Sequence, residues 1–137
     1  MAFGAFGGQP AEYSQSFPKT DFTMEELKEY DGVKSPNIFI AVNKTIFDVT
    51  PSRDFYGPGT AYGCMAGRDG TRVLSMMDKS QVKDEWDEYS DFTDKHRESL
   101  ASWETFFHKK YRVIGKLVKS AGDKTNYQGA EAKVEPL

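Results

Sequence analysis

Apolar and polar positions change their period several times along this chain, and each change marks an element. Thr23 followed by Glu26 forms a capping box, and Phe22 is placed to staple onto Leu27, so a short helix is predicted to run to Tyr30 and stop before Gly32. Ile38-Phe39-Ile40-Ala41-Val42 is rich in strand formers. Asn43-Lys44 reads as a tight turn, and Thr45-Ile46-Phe47-Asp48-Val49 as a second strand. Pro51 ends the pairing because it cannot donate to a ladder. Asp69 is predicted to N-cap a short helix through Val73-Leu74, and a weaker helical stretch follows from Val82 to Glu88. Thr93 opens the longest helix, to about Tyr111, with Leu100, Trp103, Phe107 and Tyr111 on one stripe. Arg112–Val118 reads as a last strand. Short helices interleaved with a few strands define an α+β domain.

The stretch between the second strand and Asp69 breaks the rule for surface loops. It carries Pro51, Gly57, Pro58, Gly59, Gly63 and Gly67, yet Phe55, Tyr56, Tyr62 and Met65 sit among them. So many large apolar groups in a loop are expected to wrap a ligand or close a core. Residues 1–19 and 120–137 show no sustained period and are read as flexible tails around a folded domain of residues 20–119.

Composition narrows the choice of function. The 137 residues are 38% hydrophobic and 28% charged, with a net charge of −3, which gives no support to a nucleic-acid partner. Aromatics reach 14%, enough to line a pocket for a flat apolar ligand as well as to enrich a core. The single cysteine, Cys64, rules out an internal disulfide and suggests a reducing compartment. No apolar run approaches the roughly 20 residues of a membrane span, and the first residues lack a signal peptide's basic start, so the chain as given is expected to be soluble. No nucleophile–base pair or metal-ligand cluster supports an enzyme. The acidic run Asp84–Asp91 reads as a solvated face or, alternatively, as a docking surface for a basic partner. Gly67-Arg68-Asp69-Gly70 lacks the spacing and the lysine of a phosphate loop.

Three segments carry a resemblance. They are Phe47-Asp48-Val49-Thr50; Phe55-Tyr56-Gly57-Pro58 with Tyr62-Gly63 and Ala66-Gly67-Arg68-Asp69; and Trp103-Glu104-Thr105-Phe106-Phe107 with Lys110-Tyr111 and Gly115-Lys116-Leu117. In order and spacing the chain resembles the membrane-associated progesterone receptor family, which includes the progesterone receptor membrane components and the damage-resistance haem proteins. The resemblance implies a cytochrome b5-like fold: a small mixed sheet with short helices around a haem- or steroid-binding groove. Ordinary cytochrome b5 domains grip haem iron with two loop histidines, the first in His-Pro-Gly-Gly. Here that motif is missing. The two histidines, His96 and His108, lie twelve residues apart on one predicted helix, too far to share an iron.

What the resemblance implies for the site is a phenolate at Tyr62 bound to one side of ferric haem b, with Tyr56, Lys110 and Tyr111 as supporting positions. A phenolate suits ferric better than ferrous iron, so a low potential and redox-sensitive retention are expected. Tyr56 is expected to hydrogen-bond the Tyr62 oxygen, Lys110 and Tyr111 to meet a haem propionate, and Met65 and Leu74 to pack on the porphyrin. Taken singly, Tyr62 reads as a core or rim aromatic and Lys110 as a solvated helix residue; only their joint spacing points to haem. Cys64 reads as an inert, partly buried thiol. The implied role is regulatory, with haem-mediated self-association, contact with cytochrome P-450 enzymes of sterol metabolism, and a place at the cytoplasmic face of the endoplasmic reticulum. Two rival readings use the same residues: a steroid- or lipid-binding module without iron, and a signalling adaptor acting through its tails, with Tyr127 as a conceivable modification site.

Overall fold

The structure is a computed structural model, and it describes residues 9–137. Strand β1 (Phe22–Thr23) leads into helix α1 (Met24–Leu27), where Thr23 and Glu26 close the capping box in both directions. Strands β2 (Phe39–Val42) and β3 (Thr45–Asp48) form a hairpin. Its turn holds Asn43 at φ 48° and Lys44 at φ 67°, the left-handed pair that a two-residue hairpin loop requires. Helix α2 (Arg53–Tyr56), strand β4 (Arg68–Asp69), helix α3 (Thr71–Met76), helix α4 (Asp94–Lys110), and strands β5 (Arg112–Val118) and β6 (Lys133–Val134) complete the elements.

The sheet order is β1-β5-β3-β2-β4, with β6 also on β5, and it mixes parallel and antiparallel pairs. Both faces are covered. Ile38, Ile40 and Val42 point into one core with Phe47, Val73, Leu100 and Phe107, and Phe39 and Ala41 point into a second with Phe22, Leu27, Ile46 and Ile114. Burial on both sides explains why β2 reads as an unbroken apolar run. Between Ile46 and Phe47 the β3–β5 register shifts by a bulge. Beside it the chain entering β1 runs so close along β5 that a Cβ on Gly115 would stand 2.1 Å from the Thr20 carbonyl oxygen. Only glycine fits there.

Three sequence expectations change. No helix forms over 82–88. Asp87 Oδ1 instead accepts from the Tyr89 N–H, Asp87 grips Arg72 with both oxygens, and Tyr89 turns to φ 57° to send its hydroxyl to Asp69. Side-chain bonds of this kind compete with the helical ladder. The aromatics of that acidic run point inward: Tyr89 is buried, and Trp86 and Tyr89 each hold the Lys44 ammonium 4.2 Å from the ring centre. Secondly, Asp69 caps α3 from within strand β4, accepting from the Thr71 N–H at 3.0 Å, while Gly70 takes the N-cap position. Thirdly, the described parts of both expected tails lie against the domain. Tyr13 donates to the Asp48 carbonyl, β6 pairs with β5, Lys19 meets Glu135 at 2.7 Å, and Tyr127 and the Thr125 N–H both bond the buried Asp21 carboxylate. The polar composition of 120–137 hid these bonds, and the partners of Thr125, Tyr127 and Glu135 lie 104, 106 and 116 residues away. Residues 1–8 of the N-terminal tail lie outside the described residues.

Candidate functional site

The loop after α2 is wound tightly enough to aim one side chain. Thr60 Oγ1 donates to the carbonyls of Phe55 and Gly57, both at 2.7 Å, and the Tyr62 N–H returns to the Phe55 carbonyl at 3.0 Å. Gly63 then passes so near Gly57 that a Cβ would meet its carbonyl oxygen at 2.5 Å. Tyr62 stands at the start of the following turn, Gly63–Met65, and is half-buried. Its ring borders a cavity of about 300 Å³ with Val73, Leu74 and Met77 from α3 and its end, Lys79 from the next turn, and Trp103 from α4.

Behind Tyr62 runs a buried row of hydroxyls. Tyr56 is 1% exposed, its ring 6.5 Å from that of Tyr62, and its phenol is hydrogen-bonded to Tyr111. Tyr111 in turn donates to Ser52 Oγ at 2.6 Å. Burial, reinforced by the neighbouring phenols of Tyr111 and Tyr62, holds Tyr56 neutral far above the usual tyrosine range. Burial likewise pushes Tyr111 up to about 12.

The expected constellation is therefore assembled in part. Tyr56, Tyr62 and Tyr111 are brought together, but Tyr56 is hydrogen-bonded to Tyr111 rather than Tyr62, and the Tyr111 hydroxyl is used inside the core. Lys110 is half-buried at the end of α4, where its carbonyl accepts from the Ala11 N–H, and it does not line the cavity. Leu74 lines the cavity as expected. Met65 is fully buried in the core and does not. Cys64 borders a different cavity, with Lys28, Lys34 and Arg68. The histidines are occupied elsewhere: His96 accepts from the Thr93 N–H as part of the α4 cap, and His108 Nδ1 lies 2.8 Å from the Glu135 carbonyl oxygen. Ser52 and Lys79 were missed. Each acquires its place through contacts with residues far along the chain, Tyr111 and Tyr62, which local pattern does not reveal.

Among the described residues no three His, Cys, Asp or Glu side chains gather to hold a metal, and no helix is long and apolar enough to cross a membrane. Besides its apolar walls the cavity lining offers the Tyr62 phenol and, at its edge, Asp78, Lys79 and Ser80, with the Asp78 carboxylate engaged by Ser80. An iron bound there would have to bring its other ligands with it, as a porphyrin does. The residues fit such a group; a cavity of about 300 Å³ would cover one part of it and leave the rest open.

A mixed curled sheet with short helices framing an apolar cavity is the architecture of a cytochrome b5-like haem/steroid-binding domain, and the sequence pattern of that family matches residues 23–118. Three curated relatives fix the branch. Protein vem-1 of Caenorhabditis elegans is 44% identical over 86% of this chain, human membrane-associated progesterone receptor component 2 is 40% identical over 96%, and the cytochrome P450 regulator dap1 of Schizosaccharomyces pombe is 38% identical over 72%. A solved Arabidopsis thaliana protein described as having a cytochrome b5 like fold superposes with a TM-score of 0.63 at 34% identity, covering 78% of this chain and 98% of that one. The chain belongs to the membrane-associated progesterone receptor family. It spans 64%, 60% and 63% of the lengths of those three relatives.

Proposed function

We propose that this chain is a non-enzymatic, haem-binding regulatory domain in which the Tyr62 oxygen is the single protein ligand to ferric haem b. The observation that carries the reading is the position of Tyr62: its phenol edges a largely apolar cavity whose lining contains neither imidazole nor thiol, and whose one carboxylate, Asp78, is taken by Ser80. Bound haem would supply a ferric centre that a hard phenolate oxygen suits. The chain's own residues do the rest. Thr60 and Gly63 fix the loop that presents Tyr62, whose Oη would hold the iron as a phenolate. The row Tyr56–Tyr111–Ser52 holds the ring's support in place. Val73, Leu74 and Trp103 exclude water from one side of the ligand. Lys110 offers a cation near the end of α4.

At the edge of the cavity Met77 is 64% exposed, so part of a flat ligand held there would stay uncovered. An uncovered apolar face favours stacking on a second copy or on another protein. The name of the fission-yeast relative, a cytochrome P450 regulator, supports a P-450 enzyme as that partner; sterol metabolism at the endoplasmic reticulum is the setting we propose with it. The steroid reading rests on the same apolar lining and on relatives named steroid-binding proteins.

Haemin titration of the purified chain tests the choice. The expected outcome is a high-spin ferric tyrosinate spectrum that is lost in Tyr62→Phe, with haemin affinity falling at least about a hundredfold, since even supporting partners of a metal ligand are worth 10–100-fold. A low-spin bis-histidine spectrum, or equal haemin affinity in Tyr62→Phe, refutes the ligand. Progesterone uptake that is unchanged by Tyr62→Phe, in a protein that takes up no haemin, supports the steroid reading.

A further inference from the structure

The cavity beside Tyr62 has a cation on its rim that the ligand reading leaves unused. Helix α3 ends with Met77 in the left-handed conformation, at φ 53° and ψ 43°, and its N–H closes onto the carbonyls of Leu74 and Val73. That reversal delivers Asp78 as the cap of the next turn, where its carboxylate accepts from the Ser80 N–H at 3.0 Å and the Ser80 hydroxyl at 2.7 Å. Lys79 is the first residue of this turn. Its side chain reaches back over the cavity edge, with Nζ 5.7 Å from the centre of the Tyr62 ring and 3.0 Å from the Ala61 carbonyl oxygen.

Lys79 is one of six lysines, with Lys95, Lys109, Lys110, Lys119 and Lys133, whose ammonium takes part in no ion pair among the described residues. It is also the one cation lining this cavity among the described residues, the other walls being Tyr62, Val73, Leu74, Met77 and Trp103, with Asp78 and Ser80 bonded to each other. A neutral backbone carbonyl leaves an ammonium donor capacity to spare. Its strongest further partner would be a carboxylate on whatever occupies the cavity.

We propose that Lys79 is a specificity residue, reading a carboxylate on the rim of a flat apolar ligand and so favouring a porphyrin acid over a neutral ring system such as a steroid. This rests on the haem reading of the same cavity but does not require the iron–phenolate bond. It assigns the carboxylate contact to the turn after α3 rather than to Lys110, which lies off the cavity lining.

The test separates the carboxylate from the iron. Iron-free protoporphyrin IX and its dimethyl ester share ring and apolar surface and differ only in charge. Binding of each is followed by quenching of the tryptophan fluorescence, with Trp103 in the cavity wall. The full chain should prefer the free acid by about threefold to tenfold, the range of a solvent-exposed charge pair with modest charge assistance. Lys79→Gln should abolish that preference by weakening the acid alone, Lys79→Arg should keep it, and Lys110→Gln should leave most of it. High salt should erode it in the wild type.

A preference that survives Lys79→Gln, or one lost in Lys110→Gln instead, overturns the assignment. Equal weakening of acid and ester by Lys79→Gln also overturns it, because that is the signature of a support for Ala61 alone. If neither porphyrin binds, this proposal falls together with the haem reading. If both bind with the expected preference but haemin shows no tyrosinate spectrum, only the iron ligand fails.

Discussion

The row Ser52–Tyr111–Tyr56 gives the sharpest energetic prediction, because a single oxygen can be removed from its middle without changing the packing. Tyr111→Phe keeps a ring that already packs against Phe107 at a centroid distance of 5.3 Å. The lost oxygen donates to Ser52 Oγ and is hydrogen-bonded to the Tyr56 phenol. Both partners are buried, Tyr56 at 1% and Ser52 at 9% exposure, so the change orphans two hydroxyls rather than one. At about 1–3 kcal/mol for each buried unsatisfied group, with Ser52 at the lower end, Tyr111→Phe should cost about 3 kcal/mol. Tyr56→Phe removes an end of the row and should cost about 1 kcal/mol. In the double variant Tyr56 no longer has a hydroxyl to orphan, so its total should fall about 2 kcal/mol short of the sum. Urea unfolding of the wild type, the two single variants and the double variant, followed by tryptophan fluorescence, measures the cycle, with an unchanged m-value required for the comparison. A Tyr111→Phe cost below about 0.5 kcal/mol, or additivity within about 0.3 kcal/mol, would mean that the row is not a coupled unit and that the support of Tyr62 lies elsewhere.

Other expectations follow from charge and from sterics. Hydrogen bonds from Arg72 hold Asp87 below its ordinary value of 3.8 despite burial, so its contribution to stability is present above that pH and is lost as pH falls through the lower folded value; thermal melts from pH 7 to 2 should show a flatter acid limb in Asp87→Asn. Burial raises Tyr111 from 10.0 to about 12, so its stabilising effect is complete below pH 10 and disappears as pH rises through 12, and Tyr111→Phe should shallow the alkaline limb of the same melts. Gly115→Ala drives a Cβ to 2.1 Å from the Thr20 carbonyl oxygen and should cost about 3 kcal/mol or prevent folding, read by circular dichroism and urea midpoint; wild-type stability would refute the close approach of Thr20 to β5.

What the sequence revealed, and what it concealed, divides by the range of the interactions. Thr23 with Glu26, Thr93 at the head of α4, and Asn43-Lys44 act within a few residues, and each sits where local chemistry requires. The motif around Tyr56 and Tyr62 was visible because a loop with that many aromatics is abnormal. The hydroxyl row was not, since Ser52 and Tyr111 lie 59 residues apart and either alone is unremarkable. The helix expected over 82–88 failed for the same reason. Its residues have reasonable helical propensity, but Asp87 and Tyr89 are drawn inward by Arg72 and Asp69, partners that no local window contains. The segment beyond residue 119 looked like a tail because its composition is polar, whereas its bonds to Asp21 and Lys19 bridge about a hundred positions.

The two faces of the sheet are held by different means, and the difference bears on how a ligand would be kept. On the face of Phe22, Phe39 and Ile114, the sheet is closed by β1, by β6, and by a carboxylate, Asp21, that ties residues 116, 125 and 127 to the start of the domain. On the other face, the cavity wall from Met77 to Ser80 is exposed and joins no strand; a left-handed cap and the Asp78 turn hold it. Opening that wall would break few backbone bonds and little apolar packing, which is what a low-stability segment requires. Tyr62, in contrast, stands on the tightly bonded loop of Thr60 and Gly63 above buried phenols. The fixed part of the site is thus the side that carries Tyr62, and the yielding part is the side that carries Met77 and Lys79. A flat ligand would enter against the yielding wall and be retained by the rigid one, so substitutions at Tyr62 should act mainly on its escape and substitutions at Met77–Lys79 on its entry and selection.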